Sequence, residues 1–288
     1  MPTGIIFALL AMVLWGFEEL YLKQAISGLR SVTTILINSI AGGLLSLFVV
    51  LPLLDSTVTL ISRQDFFFAI LTACVAFIGY VFFYLALERQ ELSLISSFDE
   101  SWIVITVLIA VVGFGEKIST INLTAIVAVL LGAFLISVDF SHIRSPHFIA
   151  GSGYAALAVL FTGFTVPLEA VLVRAIGEAN AIVYMYALYF PLILVMKWIL
   201  RERLVKPTKK LLRISALSGL ADGAAFAFYL LAINSTDVSI VAPIVASSVV
   251  VAVILARVYL KEKMTRKEIL GTILVLLGVV GVSVAFGA

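Results

Sequence analysis

Charge is what this sequence has least of. Only 12% of its 288 residues are Asp, Glu, Lys or Arg, where a soluble domain carries about 25%. The 19 basic residues barely exceed the 17 acidic ones, for a net charge of +2. That leaves no basic surplus to neutralise phosphates and excludes a nucleic-acid binder. A single cysteine, Cys74, excludes an intramolecular disulfide framework and a thiolate metal site. What fills the space is apolar: 62% of the chain is hydrophobic and the mean hydropathy is +1.20. An ordinary cytosolic enzyme and a disordered chain are both excluded, and a membrane protein is expected.

The first apolar stretch, 4–22, has no basic leader and no small-residue cleavage site, so it reads as a retained span. A helix needs about 20 apolar residues to cross the hydrocarbon. Cutting at charged or Gly/Pro/Asn-rich breaks predicts ten spans, at 4–22, 32–54, 66–87, 92–114, 121–138, 149–172, 180–200, 214–233, 238–260 and 268–287. Runs such as 103–112 do not alternate with period 2, which excludes a lipid-facing β-barrel. Ten spans put both termini on one side. The other side carries the basic runs Arg201 to Arg213 and Arg257 to Lys267. By the positive-inside rule that basic side is cytoplasmic and both termini are outside. The same runs suit contact with anionic lipid.

Sliding the chain against itself by 146 positions lays Ser93 on Ser239, Ser101 on Ser247, Glu116-Lys117 on Glu262-Lys263 and Gly132 on Gly278. Nearly equal shifts lay Phe83-Tyr84-Leu85 on Phe228-Tyr229-Leu230 and Gly16-Phe17 on Gly163-Phe164. The chain is therefore a duplication, 1–145 and 146–288, of five spans each. Five is odd, so the second copy enters the membrane upside down. The expected fold is all-α and integral to the membrane, with ten helices in two inverted five-helix repeats. Inverted repeats serve alternating access, with the site near the midplane where the repeats meet.

These residues resemble the ten-helix, EamA-type members of the drug/metabolite transporter superfamily. The resemblance rests on Trp15-Gly16, Tyr84-Leu85-Ala86-Leu87, Gly115-Glu116, Gly132, Pro243, Glu262 and Gly278 and covers the whole chain. It implies a carrier of small polar metabolites with a central cavity, peripheral fifth and tenth helices and cytoplasmic termini, the last in conflict with the charge count. Glu18-Glu19, and Asp99-Glu100 where the second copy is apolar, depart from the family pattern.

An ionisable side chain at mid-membrane costs about 2.5–3.5 kcal/mol by insertion scales and calls for a partner, a wet cavity or a function. Glu18, Asp99 and Asp222 lie roughly 6, 10 and 12 Å from the basic side at about 1.5 Å per residue, one layer from three helices. Ser93, Ser96, Ser97 and Glu100 form one stripe of the fourth span, with Asp99, Trp102 and Thr106 beside it. Glu19 and Lys23 stand in the favoured order for a structural pair, and Lys197 can snorkel to the basic side. Glu169 is either an outer gate or interfacial, Arg174 and Arg257 are read as interfacial, and Glu116 and Glu262 as anchors at helix ends. Tyr80, Tyr84, Trp102, Tyr186, Tyr189 and Tyr229 can supply aromatic walls, which beside carboxylates suit a cationic group. Pro167 and Pro243 are candidate hinges, since each frees the carbonyl four residues back, at Gly163 and Ser239.

The expected function is secondary active transport, by alternating access, of small polar or cationic metabolites such as amino acids or amines. Export is the expected direction and protons the expected coupling ion, because a carboxyl in a cavity can exchange a proton for substrate. The alternative is proton-coupled import of a quaternary amine. A pump is disfavoured by the lack of a GxxxxGK[ST] loop. An intramembrane enzyme is disfavoured because His142 and His147 fall in one loop and the Asp99-Glu100 pair has no spaced acidic partners. Neither a cofactor nor a metal is expected. The expected partners are a small molecule, membrane lipid and protons, in a monomer or homodimer of the cell (inner or plasma) membrane.

Overall fold

In the computed structural model, residues 2–51, 58–89, 101–137, 146–260 and 266–284 are described. Among them every regular element is helical: α1 Pro2–Leu45, α2 Arg63–Arg89, α3 Trp102–Phe114, α4 Thr120–Ser137, α5 Pro146–Ile176, α6 Glu178–Leu200, α7 Lys209–Ser235, α8 Val238–Val245, α9 Ser248–Leu260 and α10 Arg266–Val284. One π turn, Ser46–Val50, prolongs α1. Helix α1 is two spans in one, because Arg30 takes φ 62°, ψ 170° and turns the chain back. The first arm outlasts its apolar stretch, since Leu, Lys, Gln and Ala are good helix formers at any polarity. The second arm starts at Ser31, and two carboxylates close its first amides: Ser31 N–H donates to Glu88 Oε1 (2.7 Å) and Val32 N–H to Glu202 Oε1 (3.2 Å). By length and composition α1, α2, α5, α6 and α7 contain stretches able to cross a membrane, and the other spans contribute shorter apolar helices. The fold is an integral membrane bundle of ten spans.

The ninth span is broken. Pro243 has no N–H to give, and three residues later the helix tightens: Ser247 N–H reaches back to Ile244 O (3.1 Å) and its hydroxyl to Pro243 O (2.7 Å). A new helix, α9, starts at Ser248. Its counterpart 146 positions earlier, α3, starts at Trp102, and in both the third amide donates to the serine before the helix (Val104 to Ser101, 3.1 Å; Val250 to Ser247, 3.0 Å). Pro167, by contrast, leaves α5 continuous. The Gly163 carbonyl that it frees accepts the Thr106 hydroxyl of α3 at 3.0 Å, so a neighbouring helix supplies the lost donor.

The packing repeats itself under exchange of the two halves. Helix α4 packs on α10, the fifth span on the tenth. The first two spans pack on α7, as α5 and α6 pack on α2; the first touches α9 as the sixth touches α3. This is the pseudo-two-fold of two inverted five-helix repeats. Close approach is bought by missing side chains: a Cβ on Gly223 would stand 2.6 Å from Gly42 Cα, and one on Gly132 2.6 Å from the Gly271 carbonyl.

Candidate functional site

A cavity of about 220 Å³ lies where the halves meet. Each lining helix contributes a stripe at helical spacing: Trp15, Glu18 and Glu19 from the first span, Ala76, Tyr80 and Phe83 from α2, Thr162, Thr165, Val166 and Glu169 from α5, and Asp222, Phe226 and Tyr229 from α7. Met185, Tyr186 and Tyr189 of α6 join them, with Ser39 of the second span. Trp102 and Ser248, the first residues of α3 and α9, complete the wall with Val245 and Ala246 at the end of α8. Among the described residues, α4 and α10 contribute nothing to it. The lining keeps the pseudo-symmetry, for Trp15, Glu18 and Glu19 occupy the positions that Thr162, Thr165 and Val166 occupy in the second repeat.

Four carboxylates face this space, and each accepts from a neutral donor. Trp15 Nε1 donates to Asp222 Oδ1 (3.1 Å) and the Tyr229 hydroxyl to Glu169 Oε2 (2.9 Å). Ser218 Oγ donates to Glu18 Oε1 (3.3 Å) and Ser248 Oγ to Glu19 Oε1 (3.1 Å). Glu18 is 6% exposed and Glu169 5%. The indole of Trp15 lies on the Tyr229 ring, with centroids 5.4 Å apart, so the donors to Asp222 and Glu169 are themselves in contact. Aromatic contacts continue from Tyr229 through Phe226 and Tyr186 to Tyr189. No Lys, Arg or His occurs among the described lining residues. Such a site can hold a small cation by charge pairing and by the faces of its rings, or it can hold protons.

Of the residues singled out in the sequence, Glu18, Asp222, Trp102, Tyr80, Tyr186, Tyr189 and Tyr229 meet in this cavity. Tyr84 stands behind the wall, fully buried, with its hydroxyl on Tyr80. Asp99 and Glu100, with Ser93, Ser96 and Ser97, fall outside the described residues, as does Glu262. Glu169, left between gate and interface, is in the cavity wall. Glu19, read as the structural partner of Lys23, lines it too. Lys197 is exposed, in keeping with snorkelling. Glu116 anchors a helix: its two oxygens accept from Val238 and Ser239 N–H (3.0 and 2.9 Å). Arg174 donates to Ile233 O (3.1 Å) over the ring of Phe114. Sequence reasoning missed Trp15 as a site residue. The signal was present, since Trp15, Glu18 and Glu19 follow i, i+3, i+4 spacing.

The fold and this lining define a membrane carrier built by duplication, with its cavity between the repeats. Residues 2–138 and 149–284 each match the model of the EamA-like transporter family. The chain belongs to that family, and with it to the drug/metabolite transporter superfamily. A solved structure, titled only as a crystal structure of a protein, superposes with a TM-score of 0.80 over 98% of this chain and 96% of its own, at 15% identity. It shows that the fold is shared. No curated protein matches the sequence.

Proposed function

We propose that this transporter is a secondary active carrier of small cationic metabolites, amines and amino acids with a free ammonium among them. It works by alternating access, exports its substrate and is coupled to protons. The observation that carries the reading is the lining: Glu18, Glu19, Glu169 and Asp222 gathered among aromatic rings, with no basic side chain among the described lining residues. An anion is repelled by such a surface, whereas a cation gains Coulomb attraction and ring-face contact. A carboxylate that a cation has left can take a proton instead, which supplies an exchange stoichiometry. Pro243, beside the break between α8 and α9, serves as the hinge of the ninth span, and Pro167, whose freed carbonyl is held only by one hydroxyl, as that of the sixth.

Counterflow in proteoliposomes tests this. Labelled methylamine and labelled tetramethylammonium are expected to exchange saturably, faster when a pH gradient is imposed. Glu18→Gln or Asp222→Asn is expected to slow that exchange at least about tenfold, the loss of one charged interaction in the binding step. No counterflow of either cation by the wild-type protein would falsify the reading.

A further inference from the structure

Behind the cavity wall runs a chain of hydrogen bonds whose two ends are both cavity residues. Glu18 is one end and Tyr80 the other; between them stand Ser218, Asn38 and Tyr84, all with no exposed surface. Asn38 Nδ2 lies 3.0 Å from Ser218 Oγ and 2.9 Å from the Tyr84 hydroxyl, and the Tyr84 and Tyr80 hydroxyls are 2.8 Å apart.

The direction of the chain follows from counting hydrogens. Towards the first span Ser218 meets the Glu18 carbonyl at 3.4 Å and, with Glu18 ionised as a bound cation requires, a second acceptor in Glu18 Oε1 at 3.3 Å. Its single hydrogen is therefore committed there, and it must accept from Asn38. The Asn38 amide, with two hydrogens, gives one to Ser218 and the other to Tyr84. Its nitrogen must face Ser218, so its oxygen lies towards Ser215, whose hydroxyl, able to give or to accept, donates to it at 3.0 Å. Tyr84 has then accepted and gives its own hydrogen to Tyr80. Tyr80, having accepted in turn, is left with its hydrogen for the cavity that it lines.

We propose that Asn38 is a positioning residue that sets this direction, so that the cavity offers a hydrogen-bond donor at Tyr80 together with a carboxylate at Glu18. The ligand class follows: a cation that also carries a hydrogen-bond acceptor. This rests on the reading of the cavity as a cation site and narrows it.

Asn38→Asp reverses the chain almost isosterically. An aspartate only accepts, so Ser218 and Tyr84 both turn their hydrogens to it, Tyr80 gives its own to Tyr84, and the cavity loses the donor. The added charge strengthens every cation alike, so the quantity to read is a ratio. Acetylcholine and n-pentyltrimethylammonium have the same charge and length, but only the first has acceptors. Their dissociation constants are measured by calorimetry on the purified full chain, for the wild type, Tyr80→Phe, Asn38→Asp and Ser218→Ala. The wild-type preference for acetylcholine is expected to exceed that of Tyr80→Phe by roughly tenfold, about the worth of one hydrogen bond that would otherwise be left unmade. Asn38→Asp is expected to fall to the Tyr80→Phe value. Ser218→Ala removes the acceptor that the amide nitrogen must face, so the amide can turn its oxygen to Tyr84 and its nitrogen to Ser215; this variant should lie between them, and it carries the test should Asn38→Asp not fold. A wild-type ratio in Tyr80→Phe, Asn38→Asp or Ser218→Ala overturns the proposal. Failure of the wild type to bind either probe overturns the cation-site reading itself, and this one with it.

Discussion

Glu202, in the connection after α6, and Glu88, at the end of α2, share the task of closing the second arm of α1. Burial, and after it the neighbouring Glu88 carboxylate, raise the Glu202 carboxyl above its ordinary range, against the opposing pull of the Val32 amide and Arg30. The folded chain thus holds this proton more tightly than the unfolded chain does. Its contribution to stability is full below the ordinary carboxylate range and is lost as the pH rises through the raised one. Glu202→Gln keeps an acceptor for Val32 and cannot ionise. It is expected to flatten the decline in unfolding temperature as the pH rises above the ordinary carboxylate range in detergent; a profile that overlays the wild type would show that Glu202 titrates normally. At this scale the sequence was informative about chemistry and silent about direction. Glu169 and Lys197 read alike as charges inside spans, yet one is in the cavity wall and the other is exposed. Composition places a residue along a helix, whereas rotation about the helix axis comes from packing. The stripe from Trp15 to Glu19 carried that information, and the favourable spacing of Glu19 to Lys23 competed with it.

Among the elements, the spans were legible because hydrocarbon demands long apolar helices and little else. Their interruptions were not. In the apolar run from Val238 to Leu260 the break at Ala246–Ser247 falls at the Ser247-Ser248 pair, but serine is tolerated inside helices and does not announce a break, and the effect of Pro243 is displaced three residues down the chain. The turn at Arg30 is equally hidden, since a left-handed backbone at a non-glycine residue, costing on the order of 1–3 kcal/mol, is held by its surroundings. The short helix α8 needs its start secured more than a long helix does. Glu116 does this with both oxygens, from the far end of the fourth span. Glu116→Ala removes both acceptors and is expected to cost about 1–2 kcal/mol of stability, with Glu116→Gln, which keeps one acceptor, in between. Equal unfolding temperatures for all three proteins would mean that α8 is held by its apolar contacts alone.

For the whole molecule, the duplication was readable because an odd number of spans per copy leaves only an inverted arrangement, and the family match over both halves agrees with it. The scaffold obeys the two-fold down to the first residue of α3 and of α9. The charges do not. Glu18 and Glu19 stand where the second repeat has Thr165 and Val166, Glu169 where the first has Leu22, and Asp222 where it has Phe77. Under the alternating access proposed above, rocking such a frame about its midplane exchanges the two mouths without exchanging their electric fields. A ligand arriving from one face meets the acids in a different order, and through different walls, from one arriving at the other face. The carrier is therefore built to rectify: half-saturating cation concentrations measured from the two sides of an oriented vesicle are expected to differ several-fold, roughly the effect of one unequal charge contact. Identical values from both sides would mean that the lining, unlike its sequence, is electrically symmetric.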